Sequence, residues 1–121
     1  MPGDPQELAV SQTYLRFLNL SSAIRGLPAI PALDPVEERL LNGLASLLGA
    51  GEEVTVLQAM NGAGDSSPST VHRRLKALRS KGLISYAEKA GDQRTKHIRL
   101  TPLAEHYFAE LSRCIDQAAR G

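Results

Sequence analysis

The sequence predicts a mostly α chain with one small β-hairpin, an α+β class, and three observations carry that expectation. Helix-start signatures recur at Asp4-Pro5-Gln6-Glu7, Asp34-Pro35-Val36-Glu37, Ser67-Pro68 and Thr101-Pro102. Apolar residues between them repeat with the helical period rather than alternating. Only residues 83–100 read as strand, turn, strand: a run to Lys89, the Ala90-Gly91-Asp92 turn, then alternation of His97 and Arg99 with Ile98 and Leu100.

The first helix is expected from the Asp4 cap to about Ile24, with Pro5 at its first position and Glu7 completing a capping box. It carries two apolar faces, Leu8, Leu15 and Leu18 on one and Val10, Phe17, Leu20 and Ile24 on the other. A helix apolar nearly all round is usually buried on both sides, and in a short chain a partner subunit can supply the second side. Pro28 and Pro31 make residues 26–33 an extended linker. The second helix begins at the Asp34 cap. Val36, Leu40, Leu41, Leu44, Leu47 and Leu48 fall within an arc of about 140° at the helical period, and Gly49 and Gly51 stop it. Glu53-Val54 leaves room for one short strand, Thr55 can cap a short helix over 56–60, and residues 61–65 read as a turn.

The segment opened by Ser67-Pro68 is the most informative. Ser67 caps it, Pro68 starts it and Gly82 ends it. Val71, Leu75 and Leu78 form the buried stripe, while Ser69, Arg73, Lys76 and Ser80 lie opposite, flanked by His72 and Arg79. No acid sits on that helix. The last helix, from Thr101-Pro102 to about Ala119, has Leu103, Tyr107, Leu111, Cys114 and Ala118 on its apolar side. Helix-turn-helix followed by a two-stranded hairpin is a winged helix. The expected division is therefore 1–33 for an N-terminal helix and linker, 34–101 for a winged helix-turn-helix, and 102–121 for a C-terminal helix.

Composition limits the function classes. The 121 residues suit one domain, and 42% apolar content with five aromatics means a largely aliphatic core. The start has no basic stretch followed by an apolar run, no segment approaches the ~20 apolar residues that span a bilayer, and one cysteine cannot make an internal disulfide. A cytoplasmic location is expected. Net charge is only +1, but residues 68–99 hold nine cations against Glu88 and Asp92, a local +7 that leaves −6 elsewhere. Such asymmetry is the footprint of a polyanion-binding surface; the alternative is a solvated charged face. His72, His97, His106 and Cys114 have no close ligand spacing, and no nucleophile elbow, glycine-rich phosphate loop or paired-carboxylate signature occurs. No metal, cofactor or enzymatic activity is expected. Cys114, inside an apolar stripe, reads as a buried inert thiol.

The run Ser69-Thr70-Val71-His72-Arg73, then Leu75, Leu78 and Lys81-Gly82-Leu83-Ile84, followed by Asp92-Gln93-Arg94 and Leu100-Thr101, resembles the MarR-type winged helix-turn-helix regulators over about residues 34–104. The resemblance implies a cytoplasmic, homodimeric transcriptional regulator that binds double-stranded DNA, with the terminal helices 1–33 and 102–121 dimerising. The recognition helix 68–81 would enter the major groove and the wing 83–100 would lie at the minor groove. On this reading Ser69, Thr70, His72, Arg73 and Lys76 contact bases or phosphates. Arg94 reaches the minor groove from the wing tip, or else braces the hairpin against Asp92. Lys89 and Lys96 position the backbone. A winged helix used only for protein interaction is the alternative. A small-molecule effector is left unassigned, since the short C-terminus argues against a large pocket between dimer helices and wing domain.

Overall fold

The computed structural model describes residues 4–62 and 66–121. The elements are α1 (Pro5–Arg25), α2 (Pro35–Gly49), α3 (Val56–Asn61), α4 (Pro68–Ser80), β1 (Ile84–Lys89), β2 (Asp92–Leu100) and α5 (Pro102–Arg120). They divide between two compact units, residues 33–105 and the termini 4–32 with 106–121.

In the 33–105 unit the helix starts sit where the local chemistry puts them. Asp34 accepts the Glu37 amide at 2.7 Å while the Glu37 carboxylate takes the Asp34 amide at 2.9 Å. Thr55 and Gln58 repeat that capping box on α3. Asn61 closes α3 and Gly62 caps it; the rest of the expected turn, 63–65, lies outside the described residues. Ser67 Oγ accepts the Thr70 amide and Pro68 occupies the first position of α4. At the other end of α4 the Leu83 amide bonds the Leu78 carbonyl and the Gly82 amide bonds that of Arg79. That paired closure needs a left-handed residue, and Gly82 supplies it at φ +79°. Thr101 then ties the start of α5 to this corner: its hydroxyl donates to the Gly82 carbonyl and accepts the Ala104 amide.

The core of this unit is aliphatic. Leu41, Leu75, Leu78, Leu83, Ile84 and Ile98 are all buried, so α4 contributes its whole expected stripe. The hairpin pairs Ile84 with Leu100 and Tyr86 with Ile98, with an irregularity between Glu88 and Lys89 and Gly91 at φ +85° in the turn.

Two expectations change here. Glu53-Val54 is not a strand of its own; Thr55 bridges His97 and the Ile98 amide donates to the Val54 carbonyl at 2.8 Å. The segment thus adds to the free edge of β2. His97, whose alternation with Ile98 suits a half-buried hairpin with the polar residue outward, is buried at 7% exposure beside Ile98 at 0%.

In the other unit, Tyr107, Cys114 and Ala118 of α5 are buried, as the apolar stripe required. Arg16 of α1 donates twice to the Ala118 carbonyl in the last turn of α5, at 3.1 and 2.9 Å, beside the Gly121 amide that donates to the same oxygen at 3.3 Å. Arg25 donates to the Tyr107 hydroxyl at 3.3 Å. The two-faced helix α1 buries neither face fully: Ser21 is its one buried residue, Phe17, Leu20 and Ile24 are half-buried, and Leu8, Val10, Tyr14, Leu15 and Leu18 are exposed.

Candidate nucleic-acid interface

The outward side of α4 follows directly from its buried side. With Val71, Leu75 and Leu78 turned to the core, helical geometry leaves Ser69, His72, Arg73, Lys76, Arg79 and Ser80 exposed. Thr70 is half-buried and belongs to the cap: its hydroxyl accepts from Ser67 Oγ at 2.8 Å, and Ser67 Oγ is 3.3 Å from Ser69 Oγ. The first turn of α4 therefore has its hydroxyls organised before any ligand arrives. The helix has no acidic residue in its first turn, so its positive end is not internally neutralised.

The remaining cations of α4 and the wing are not equivalent. Arg74 is half-buried and ion-paired with Asp34. Lys81 Nζ lies 2.7 Å from the Glu37 carboxylate, which is buried at 3%. Lys89 pairs with Glu53, and Lys96 pairs with Glu88 across the hairpin. Of these four acids only Glu88 lies within 68–99, so folding brings three carboxylates to the basic segment that a count along the chain assigns elsewhere. The Arg79 guanidinium sits 4.6 Å above the Tyr86 ring, bracing the end of α4 against β1 by a cation–π contact. Burial raises the Tyr86 hydroxyl above its ordinary pKa, against an opposing influence from Arg79.

At the wing tip, Asp92 accepts hydrogen bonds from the Arg94 and Thr95 amides at 3.1 and 3.2 Å. Those bonds, with the Thr95 side chain foremost, hold the Asp92 carboxyl below its ordinary pKa. The bond from Arg94 to Asp92 is thus a backbone bond, and the exposed Arg94 side chain extends from a turn that Asp92 shapes. Lys89 and Lys96 remain half-exposed, and pairs of that kind contribute little, so either lysine can exchange its carboxylate for a phosphate at small cost.

All eight residues expected to touch nucleic acid therefore fall in one unit: Ser69, Thr70, His72, Arg73 and Lys76 on α4, and Lys89, Arg94 and Lys96 on the hairpin. Reading along the chain missed Asp34, Glu37 and Glu53 as partners of this surface, and no local signal points to them. Among the described residues no cluster of His, Cys, Asp and Glu could hold a metal, and no helix is long and apolar enough to cross a membrane.

Neither a protein-family model nor a curated protein matches the chain. Among solved structures it is similar to the YusO protein from Bacillus subtilis, at 20% identity and a TM-score of 0.56, over 95% of this chain and 73% of that one. It is also similar to a probable transcriptional regulator from Pseudomonas aeruginosa, at 20% identity and a TM-score of 0.51, over 97% of this chain and 84% of that one. Together with the helix order and the antiparallel hairpin, these likenesses establish the fold: a mostly helical winged helix.

Proposed function

We propose that the chain is a sequence-specific double-stranded-DNA-binding transcriptional regulator of the MarR type, active as a homodimer and without enzymatic activity. One observation carries the reading. The exposed face of α4 bears Ser69, His72, Arg73 and Lys76 with no acid on the helix, directly behind a stripe that holds it to the core. An α-helix fits the major groove, where arginine makes a bidentate pair with guanine and hydroxyls reach phosphates. Arg94 on the wing is the minor-groove cation, and Lys89 and Lys96 contact the backbone. The likeness to a probable transcriptional regulator supports this function by analogy of fold.

The exposed apolar side chains of α1 support dimerisation through residues 1–33 and 102–121, since contiguous exposed apolar surface marks an interaction site. A two-fold dimer would set two copies of α4 about 34–36 Å apart and read a pseudo-palindrome. A cytoplasmic location goes with this role.

The experiment is fluorescence anisotropy with random-sequence duplex DNA at low salt, followed by selection of bound sites from a randomised pool. Binding at low salt and a recovered palindromic consensus are expected. No binding at low salt would remove the DNA reading and leave the winged helix as a protein-interaction module.

A further inference from the structure

The two long edges of α4 are held by different chemistry. On one edge Arg74 and Lys81 are ion-paired with Asp34 and Glu37 at the start of α2, so their charges are already matched. On the opposite edge Arg79 lies over the Tyr86 ring of β1, 4.6 Å from its centroid. Arg79 is exposed, and its guanidinium has neither a carboxylate nor a hydrogen-bond partner among the described residues. A ring face attracts a guanidinium without using any of its N–H donors. Arg79 is therefore located by one contact while its whole donor set is left to give.

Tyr86 is better explained by its ring than by its hydroxyl. The residue is half-buried and pairs with Ile98 across the hairpin, and its hydroxyl is buried with no partner among the described residues. A buried donor that makes no hydrogen bond is unfavourable, so packing alone favours an apolar residue here. What the aromatic ring adds is its electron-rich face, and Arg79 lies on it.

We propose that Arg79 contacts a DNA phosphate and that Tyr86 is its positioning residue. The proposal rests on the DNA-binding reading above and names the part of the duplex that this edge of α4 meets. With α4 in the major groove and the hairpin at the neighbouring minor groove, one sugar–phosphate strand separates the two grooves and passes the gap between α4 and β1. Arg79 stands at that gap, on an edge of α4 that it shares with His72. Its planar fork can take two oxygens of one phosphate. Holding the fork in advance lowers the ordering cost of the contact. A phosphate contact carries no base information, so Arg79 fixes register rather than sequence.

The test is fluorescence anisotropy with random-sequence duplex DNA across a potassium chloride series, with thermal melts alongside. Arg79→Gln should weaken binding about ten-fold at low salt and flatten the log–log slope by about two in a dimer, one contact being lost from each subunit. Arg79→Lys keeps the charge but not the fork, and should retain the slope while binding about three-fold more weakly. Tyr86→Leu leaves Arg79 charged but unheld, and should likewise retain the slope while binding about three-fold more weakly. Tyr86→Phe keeps the ring and should recover that loss. The double variant of Arg79→Gln with Tyr86→Leu should bind no more weakly than Arg79→Gln alone, because Tyr86 acts only through Arg79. An Arg79→Gln protein with the parent's affinity and slope would overturn the proposal and leave the DNA reading standing. A parent that binds no duplex at low salt would remove both. Losses that multiply in the double variant, or a Tyr86→Phe protein as weak as Tyr86→Leu, would overturn the positioning role. Tyr86→Met takes the place of Tyr86→Leu in the cycle if the latter fails to fold, and the Arg79 variants decide the phosphate contact in either case.

Discussion

The Asp34 carboxylate caps α2 by accepting the Glu37 amide and, with its other oxygen, receives the guanidinium of Arg74 on α4. One residue thus starts one helix and anchors another. The Glu37 amide is the largest cause of the lowered Asp34 pKa, followed among its stabilising contacts by Arg74. A carboxyl lowered on folding stabilises the native state above its ordinary value of 3.8, and that contribution is lost as pH falls through the lower folded value. Asp34→Asn, which keeps a capping oxygen, should be less stable than the parent at neutral pH and should converge with it in acid below 3.8. Asp34→Ala should melt lower than Asp34→Asn. Denaturant unfolding of all three at both pH values checks the order.

The two neighbours Leu75 and Lys76 test which side of α4 faces the core. Leu75 is 0% exposed, so Leu75→Ala should cost about 2–5 kcal/mol through lost contacts and a residual cavity. Lys76 is exposed, and Lys76→Ala should stay within about 0.5 kcal/mol of the parent. Urea unfolding midpoints at equal m-values give both numbers.

Arg73 and Arg94 separate reading from holding. Arg73→Ala should leave folding unchanged, cost about 1–3 kcal/mol on a selected site, and relax preference at one base position. Arg94→Ala should weaken binding more evenly across sequences, with any sequence effect tracking A·T-rich flanks and their narrow groove. Both variants are measured against a panel of single-base site variants, with thermal melts alongside. An Arg73→Ala protein that binds every variant as tightly as the parent would exclude this face from DNA reading.

Salt dependence tests the paired lysines. Each phosphate contact adds roughly −0.9 to the log–log slope of affinity against salt, so in a dimer, where each substitution removes two contacts, Lys89→Gln and Lys96→Gln should each flatten the slope by about two. Glu53→Gln and Glu88→Gln remove the carboxylates that compete for those lysines and should strengthen binding to random duplex DNA. Anisotropy titrations across a salt series measure both effects.

The exposed face of α1 predicts association. Leu15 and Leu18 are 54% and 37% exposed, and Leu15→Glu with Leu18→Glu should convert a dimer to a monomer without lowering the helix content. Light scattering at micromolar concentration, with circular dichroism alongside, is the measurement. A parent chain that is monomeric there would remove the dimer from the proposal.

What could be read along the chain is what depends on neighbours three and four residues away. The Asp34–Glu37 and Thr55–Gln58 boxes, the Ser67 cap and the left-handed Gly82 are local devices, and their residues name the helix ends. The burial of Val71, Leu75 and Leu78 fixed the outward position of Arg73 and Lys76, because a helix has only two sides to offer. Tertiary structure decided the rest. The partners of Arg74, Lys81 and Lys89 lie 40, 44 and 36 residues away. Nothing in a local window specifies such pairings; they exist only once the aliphatic core has closed the intervening loops. The same closure laid Val54-Thr55 along β2 and buried His97, which alternation alone had placed on the wet side. Periodicity determined which side chains leave the core, and long-range packing determined which of those cations already have a carboxylate.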